Sequence, residues 1–348
     1  MRAVYLDSFG SLPTVRDIPS PTAPVGGVVI DVEATGLCRS DWHAWAGHDD
    51  TVSLPHVPGH ELVGRVAAVG AGVSGWSVGD RVTTPFVCGC GTCGLCTSGN
   101  AQVCPDQTQP GFTHFGSYAE QVVIHAADAN LVAVPEDLPA EAAASLGCRF
   151  ATSYRGLAHR ARVEPGEVLA VLGCGGVGLS AVMIGAALGA RIVAVDIDDA
   201  ALDLARRHGA GATVNARGLA PEEVATRVRG ASAAFGTAGP AVTLEALGRP
   251  ETLEAALLSL EPLGRHVQIG LFEHPPVTAL PRVIGLELTV LGSHGMAAAD
   301  YPDLVDLVVS GRLRPQDLVA RSITLDEAPA ALAAMSEGTQ PGMTIIRP

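Results

Sequence analysis

Short apolar runs separated by turn-forming residues dominate the first part of the chain. From Val28 to about Phe150 these runs are only a few residues long, and Gly, Pro, Asp and Ser interrupt them. Such a pattern predicts short strands joined by turns, and therefore a β-rich domain. The predicted strands are Val28–Val32, Gly64–Val69, Arg81–Val87, Tyr118–Ile124 and Leu131–Val134.

After Glu167 the pattern predicts strands that alternate with helices. An apolar run at Val168–Leu172 precedes a small-residue helix at Gly176–Leu188, and a strand at Arg191–Asp196 precedes a helix at Asp199–His208. This order, with short connections, predicts a parallel, doubly wound sheet. The later predicted elements are the strands Val242–Ala246, His266–Gly270, Leu286–Leu291 and Thr344–Ile346, and the helices Thr252–Leu260, Tyr301–Ser310 and Glu327–Ser336.

Length and composition narrow the class of protein. A length of 348 residues favours two domains, and 47% hydrophobic with 17% charged residues describes a globular chain. A net charge of -14 argues against a nucleic-acid or anionic-membrane partner, because either surface needs a basic patch. All 22 basic residues are arginine, which excludes Schiff-base chemistry on a lysine.

Two segments bear on where the protein resides. Met1–Gly10 contains no apolar stretch of the kind that signal peptides have, which predicts a cytoplasmic protein. Val168–Ala190 lacks charged residues over 23 positions, a length that could span a membrane. Glycines interrupt this run and it contains a phosphate-binding pattern, so we interpret it as part of the doubly wound domain.

Four of the eight cysteines follow the pattern C-x2-C-x2-C-x7-C, at Cys90, Cys93, Cys96 and Cys104. Thiols in a reducing compartment favour metal ligation over disulfides, and glycine-containing loops let four thiolates surround one ion. The pattern therefore predicts a structural zinc site, with a disulfide pair or buried thiols as the alternative. We call the segment that carries these four cysteines the cysteine lobe. Cys88 is an additional thiol beside it, which we interpret as a non-ligand; the alternative is that Cys88 takes the place of Cys90 as a ligand.

A glycine motif between a predicted strand and a predicted helix indicates a dinucleotide site. The motif, G-x-G-x-x-G, consists of Gly173, Cys174, Gly175, Gly176, Val177 and Gly178. Glycines allow the backbone to approach a pyrophosphate, and Asp196 ends the next strand, where a carboxylate binds the adenosine ribose. Asp196 repels a 2′-phosphate, and positions 197–199 offer no arginine to receive one, which predicts NAD in preference to NADP.

Two further motifs make a family recognisable. Gly59-His60-Glu61 is followed by Gly64 and Gly70, and Cys38-Arg39-Ser40-Asp41-Trp42-His43 lies upstream. These two motifs, the four-cysteine segment, the glycine motif and Gly292-Ser293 occur in the order typical of one family. On these motifs the chain resembles the zinc-containing medium-chain alcohol dehydrogenases, especially the shorter microbial type. The resemblance covers essentially the full length.

The resemblance implies an α/β protein of two domains. A β-rich, GroES-like catalytic domain would comprise 1–149 and 286–348, and a Rossmann doubly wound domain would comprise 150–285. The active site would lie in the cleft between them. A homotetramer, or alternatively a homodimer, is expected by the same resemblance.

The resemblance also implies a catalytic zinc held by Cys38, His60 and Cys148, which with the lobe gives two zinc ions per chain. Spacing alone indicates Cys38 and His60 and does not choose Cys148. Glu61 would be a transient ligand, and the Asp41 carboxylate would orient His60.

The remaining implied roles concern the proton and the cofactor. Ser40 would take the alcohol proton, which would pass through the cofactor ribose to His43 and solvent, while hydride goes to the nicotinamide of NAD. Arg39 would contact the pyrophosphate, and Thr152 and Val177 would contact the nicotinamide.

The expected function is that of an NAD-dependent zinc alcohol dehydrogenase that gives an aldehyde or ketone. The expected partners are small alcohols, aldehydes or ketones, with neither nucleic acid nor membrane. One alternative is a polyol or amino-alcohol dehydrogenase, which often has glutamate in place of Cys148. The other is a non-catalytic NAD(P)-binding homologue, which usually lacks the metal ligands.

Overall fold

The computed structural model describes residues 1–277, 279–338 and 340–348. In these ranges the chain forms two compact units. The first comprises Met1–Ala151, Gly295–Val309 and Arg314–Pro348, and the second comprises Thr152–His294 and Ser310–Leu313. Residues 286–294 and 310–313, which the resemblance assigned to the catalytic domain, lie in the second unit, and residues 150–151, assigned to the Rossmann domain, lie in the first.

The described residues contain fifteen strands, numbered in chain order: β1 (Arg2–Tyr5), β2 (Thr14–Asp17), β3 (Val28–Leu37), β4 (Leu62–Val69), β5 (Arg81–Thr83), β6 (Gln121–Ile124), β7 (Val132–Ala133), β8 (Val168–Leu172), β9 (Arg191–Asp196), β10 (Ala210–Asn215), β11 (Val242–Glu245), β12 (Arg265–Gln268), β13 (Thr289–Gly292), β14 (Val319–Thr324) and β15 (Met343–Arg347).

The α-helices are Arg39–Ala46, Gly94–Thr97, Ala127–Asn130, Ala140–Ser145, Ala151–Tyr154, Gly176–Ala187, Asp199–Arg207, Pro221–Ala233, Pro250–Ser259, Leu280–Gly285, Tyr301–Val309 and Ala328–Ala334. π-helical turns occupy Leu146–Phe150 and Arg155–Ala161, and short 3₁₀ helices occupy Ala101–Val103, Ala298–Asp300, Pro315–Leu318, Leu325–Glu327 and Met335–Glu337.

The first unit is built on a sheet in the order β14-β15-β3-β4-β5-β7, with β6 also paired to β3. All of these pairs are antiparallel except β14 with β15. Alternate residues of β3 and β4, such as Val28, Ile30 and Leu62, are buried in one apolar cluster. Gly64 is required in β4 because a Cβ there would lie 2.0 Å from the Asp31 carbonyl oxygen. The expected β-rich domain is confirmed.

The second unit is built on six parallel strands in the order β10-β9-β8-β11-β12-β13. The strand order reverses between β8 and β11, the arrangement at which doubly wound sheets bind ligands beyond the carboxyl ends of their strands. Every residue of Val168–Leu172 is buried, as expected for a central parallel strand. The Rossmann fold predicted from the sequence is confirmed.

Several details differ from the sequence prediction, and three of them concern the second unit. β13 pairs in parallel with β12, and this pairing is why residues 286–294 belong to the second unit. β10 and the helix Pro221–Ala233 were not predicted, because Ala210–Asn215 has weak strand preference and gains its pairing from β9. Val168–Ala190 folds as β8 and a helix, and none of the described helices has the length and apolarity to cross a bilayer.

Candidate metal centres and dinucleotide site

Cys38, His60, Glu61 and Cys148 form one cluster in the first unit. One ligand atom from each lies within 4.8 Å of all the others. Cys38 follows strand β3 at the start of helix Arg39–Ala46, His60 and Glu61 precede β4, and Cys148 lies in a π-helical turn. His60, Glu61 and Cys148 are buried and Cys38 is half-buried. The two sulfurs and the imidazole suit a soft divalent cation such as zinc.

The His60 ring is oriented by a buried carboxylate. Its Nδ1 lies 2.8 Å from Oδ1 of Asp41, and both side chains are fully buried. Burial acts to lower the pKa of His60, but the Asp41 carboxylate and the Cys38 sulfur together outweigh burial and raise that pKa well above its ordinary value. The other ring nitrogen, Nε2, is buried and has no hydrogen-bond partner within the described ranges. A metal ion would satisfy Nε2. Metal-ligating histidines typically bind the ion through one ring nitrogen and donate the N–H of the other to a carboxylate, as Nδ1 does here to Asp41.

Asp41 is itself held by further donors. Its Oδ2 accepts hydrogen bonds from the Cys38 backbone N–H at 2.9 Å and from the Tyr118 hydroxyl at 2.7 Å. The Gly59 N–H donates to Oδ1 at 3.2 Å. These bonds connect the two loops that carry Cys38 and His60.

Cys38 and Cys148 have adjacent sulfurs whose pKa values are shifted in opposite directions, down for Cys38 and up for Cys148. A hydrogen bond from Cys148 lowers the pKa of Cys38 well below its ordinary value, and the imidazole of His60 adds to this effect. The Cys38 sulfur is therefore the more readily deprotonated of the two. Because metal ligation requires deprotonated sulfur, the arrangement fits a zinc ion.

Glu61 is paired with a buried arginine. Nε of Arg149 lies 2.9 Å from Oε1 and 3.0 Å from Oε2 of Glu61, and the Arg149 backbone N–H donates to Oε1 at 3.1 Å. Burial raises the pKa of Glu61, and the Arg149 guanidinium opposes that shift. This ion pair fixes the carboxylate beside the cluster.

Ser40 and His43 lie on helix Arg39–Ala46, three residues apart and hence on one face. The Cys38 sulfur lies 3.9 Å from the Ser40 hydroxyl oxygen. Nδ1 of His43 lies 3.1 Å from Nδ1 of His48, an exposed histidine. Arg39, expected at a pyrophosphate, donates to the Met335 carbonyl oxygen at 2.6 Å and stacks over Trp42.

The sulfurs of Cys90, Cys93, Cys96 and Cys104 form the second cluster. Sγ–Sγ separations are 3.9 Å for Cys90–Cys96, 3.5 Å for Cys93–Cys96 and 3.7 Å for Cys93–Cys104. Four sulfurs at about 2.3 Å from one tetrahedral zinc would be about 3.8 Å apart, and a disulfide would be about 2.05 Å. The separations therefore fit a shared ion.

Backbone N–H groups support negative sulfur in this lobe. The N–H groups of Cys90, Cys93 and Cys96 donate to the sulfurs of Cys104, Cys90 and Cys93 at 3.4, 3.4 and 3.5 Å. Hydrogen bonds from the Thr92 backbone, the Thr92 hydroxyl and the Cys93 backbone lower the pKa of Cys90 to about 6. Cys88 lies outside the cluster, where its sulfur is hydrogen-bonded to the Thr84 hydroxyl and the Pro85 carbonyl oxygen. Burial raises the pKa of Cys88 to about 11.

The glycine motif forms the expected turn between β8 and its helix. Gly173 has φ +94°, and a Cβ on Gly178 would lie 1.7 Å from the Gly173 carbonyl oxygen. A Cβ on Gly175 would meet nothing within 4 Å, so open space lies in front of the helix N-terminus that begins at Gly176. This cradle fits a pyrophosphate.

Asp196 and Thr152 lie in the same unit as this turn. Oδ1 of Asp196 accepts the N–H groups of Ile197 and Asp198 at 2.7 and 2.9 Å, and Oδ2 accepts the Cys174 N–H at 2.6 Å. The Thr152 hydroxyl is buried and has no partner within the described ranges.

Comparison with known proteins agrees with this geometry. The alcohol dehydrogenase GroES-like domain family matches residues 24–136, and the zinc-binding dehydrogenase family matches residues 176–310. An alcohol dehydrogenase from Moraxella sp. (strain TAE123) is 33% identical over 319 residues, which is 90% of each chain. The chain belongs to the zinc-containing medium-chain alcohol dehydrogenase family.

Other members of this family match the whole chain. An NAD-dependent alcohol dehydrogenase from Sulfurisphaera tokodaii is 30% identical over 358 residues and covers 100% of both chains. The structure of alcohol dehydrogenase TADH from Thermus sp. ATN1 has a TM-score of 0.90 and 31% identity, and covers 100% of this chain and 99% of its own. The resemblance inferred from the sequence is therefore confirmed.

Sequence reasoning missed four residues at or near these sites: Tyr118, Arg149, His48 and Arg217, the last of which follows the strand paired with Asp196. Arg149 directly follows Cys148, but a sequence gives no sign that a charged residue is buried. Tyr118 is 77 positions from its partner Asp41, so only the folded chain joins them.

The buried Glu61–Arg149 pair predicts a large effect on stability. Arg149→Met should lower the free energy of unfolding by about 3–5 kcal/mol, because it leaves the Glu61 carboxylate buried without its counter-charge. The double variant Glu61→Gln/Arg149→Met should recover much of the loss. Denaturant unfolding of the zinc-saturated protein measures both.

The matched control is Arg314→Met, which removes an exposed ion pair with Asp317 and should leave the unfolding midpoint unchanged. Equal midpoint changes in Arg149→Met and Arg314→Met would contradict the special role of the buried pair.

Proposed function

We propose that this protein is an NAD-dependent zinc alcohol dehydrogenase that transfers hydride reversibly between an alcohol and NAD, giving an aldehyde or ketone. The carrying observation is the cluster of Cys38, His60 and Cys148, in which a buried imidazole nitrogen lacks a partner. A non-catalytic homologue would have no need of this costly arrangement.

Cys38, His60 and Cys148 are the proposed ligands of the catalytic metal, with Glu61 as a transient ligand. Zinc bound there supplies a Lewis acid that lowers the pKa of an alcohol hydroxyl. Asp41 fixes the tautomer of His60 by accepting its Nδ1–H. Arg149 holds the Glu61 carboxylate against the cluster.

Ser40 and His43 are the proposed proton path. The Ser40 hydroxyl oxygen, 3.9 Å from the Cys38 sulfur, would accept the hydroxyl proton of the substrate and at the same time release its own hydroxyl proton towards the cofactor ribose. His43 carries that proton onward, and its contact with the exposed His48 leads to solvent. Neither side chain is needed to hold the metal.

The proposed dinucleotide contacts lie in the second unit, with one exception. Gly173, Gly175, Gly176 and Gly178 give the pyrophosphate its backbone cradle, and Asp196 accepts hydrogen bonds from the adenosine ribose. The proposed nicotinamide contacts are Thr152 and Val177. Arg39, in the first unit, is the proposed side-chain contact of the pyrophosphate. To make this contact, its guanidinium would give up its hydrogen bond to the Met335 carbonyl oxygen.

Cys90, Cys93, Cys96 and Cys104 are the proposed ligands of a second, structural zinc ion. Four protein ligands leave no open position, so this ion stabilises the fold and does no chemistry. The eight cysteines are all free thiols, which favours the reducing cytoplasm as the proposed location.

We also propose a homo-oligomer, a homotetramer with a homodimer as the alternative. Strand β13 is an edge of the six-stranded sheet, and Val290 on it is exposed. Leu271, Val277, Leu280 and Ile284 are further exposed apolar side chains in the same unit. Such an edge favours pairing with another chain, and light scattering would give the number of chains.

The function is tested by following NADH absorbance with a panel of primary, secondary and polyol substrates, each with NAD and NADP. We expect turnover of simple alcohols, and a higher kcat/KM with NAD because Asp196 repels a 2′-phosphate. Turnover confined to polyols would favour the polyol alternative. Absence of turnover in zinc-replete protein would indicate the non-catalytic one.

Metal analysis tests the two zinc sites. We expect two zinc ions per chain, and one in Cys148→Ser, which should lose activity yet keep its fold. Cys96→Ser should instead lower thermal stability, because a closed structural site contributes folding free energy. A count of one in the unmodified protein, or an unchanged count in Cys148→Ser, would contradict the assignment.

The proton path predicts different defects for its two members. Ser40→Ala should reduce kcat about 10²-fold at neutral pH with the zinc content unchanged, because a direct proton acceptor is lost. His43→Gln should cost less, and its defect should shrink as the pH rises, since solvent then removes the proton more readily. An unchanged pH–rate profile in His43→Gln would mean that protons leave by another route.

A further inference from the structure

Arg217 lies beside the acidic residue that ends β9. Strand β10 pairs in parallel with β9, with Asn215 opposite Asp196. The Ala216 N–H donates to the Asp196 carbonyl oxygen at 2.9 Å, so the chain leaves the sheet next to this residue. Nε and Nη2 of Arg217 then donate to the Ile197 carbonyl oxygen at 3.1 and 2.8 Å. A cation is thus fixed against the loop that follows Asp196.

The positive charge of Arg217 has no acidic partner in the described parts of the chain. The neighbouring carboxylates are engaged elsewhere. Asp196 accepts backbone N–H groups, Asp198 accepts the Ala200 N–H at 3.0 Å, and Asp199 accepts the Asn215 amide at 2.7 Å. The Arg217 side chain is exposed, so it is accessible to an anion.

Two of the five guanidinium N–H groups of Arg217 are used by the Ile197 carbonyl oxygen. The remaining three, both on Nη1 and one on Nη2, form the end-on fork that binds two oxygens of a phosphate at once. The bond to Ile197 limits the side-chain rotations that such binding would otherwise have to freeze.

We propose that Arg217 receives the 2′-phosphate of NADP, so that the protein accepts NADP as a weaker second cofactor. This inference rests on the proposed dinucleotide site. Asp196 sets the preference for NAD, and Arg217 limits how strong that preference is. Positions 197–199 contain no arginine, and Arg217 reaches this loop from two residues beyond the end of the adjacent strand β10.

Two adenosine nucleotides isolate this contact. Adenosine 5′-monophosphate and adenosine 2′,5′-bisphosphate differ only in the 2′-phosphate, and calorimetry on the zinc-replete protein gives both dissociation constants without catalysis. In Arg217→Gln, binding of the bisphosphate should weaken about tenfold, the loss expected for a partly exposed charge-assisted bond. Binding of the monophosphate should change less than about twofold. Arg217→Lys should retain part of the bisphosphate affinity.

Two further variants make the comparison specific. Arg227→Gln removes the same charge from an exposed position on helix Pro221–Ala233 and should leave the ratio of the two constants unchanged. Asp196→Asn should tighten binding of the bisphosphate, and adding Arg217→Gln should remove most of that gain.

Other outcomes would overturn the inference in distinguishable ways. Equal weakening of both nucleotides in Arg217→Gln would mean that the guanidinium contacts adenine. No change in either would mean that Arg217 only caps the Ile197 carbonyl. If the unmodified protein bound neither nucleotide, the dinucleotide site itself would be wrong, and this inference would fall with it.

Discussion

The candidate metal centre depends on one buried carboxylate, that of Asp41. Four groups donate to it: the His60 ring, the Tyr118 hydroxyl and the backbone N–H groups of Cys38 and Gly59. A buried charge is costly unless it is hydrogen-bonded, so these donors and the carboxylate require one another. Because they come from three separate segments, the Asp41 contacts keep the loops that carry Cys38 and His60 in register.

Charge balance extends outward from this carboxylate. Two thiolates, from Cys38 and Cys148, would balance a divalent cation, and Glu61 is balanced by Arg149. The Asp41 carboxylate stands outside this balance and is stabilised by its four hydrogen-bond donors. In the cysteine lobe, negative charge on the sulfurs is stabilised by hydrogen bonds from backbone N–H groups. The two clusters therefore stabilise their negative charge by different means.

Local pattern was sufficient for much of the fold and for part of each site. The apolar run Val168–Leu172 predicts a buried strand, and the glycines from Gly173 to Gly178 predict the turn after it. Both predictions succeed because the spacing of apolar residues and the glycine content are local properties of the sequence. The four lobe cysteines lie within fifteen positions, so their spacing alone indicates one ion. In contrast, Ala210–Asn215 is a strand only because β9 lies beside it.

The sequence by itself determined the class of the protein: an acidic, lysine-free chain with a β-rich part, a doubly wound part and two sets of metal-type ligands. The tertiary structure decided which distant groups meet. It brought Arg149 to Glu61 across 88 positions, Tyr118 to Asp41 across 77, and Arg217 to Ile197 across 20. Periodicity and short motifs report interactions within a few residues, whereas buried ion pairs and contacts between adjacent strands depend on how the chain returns to the same place.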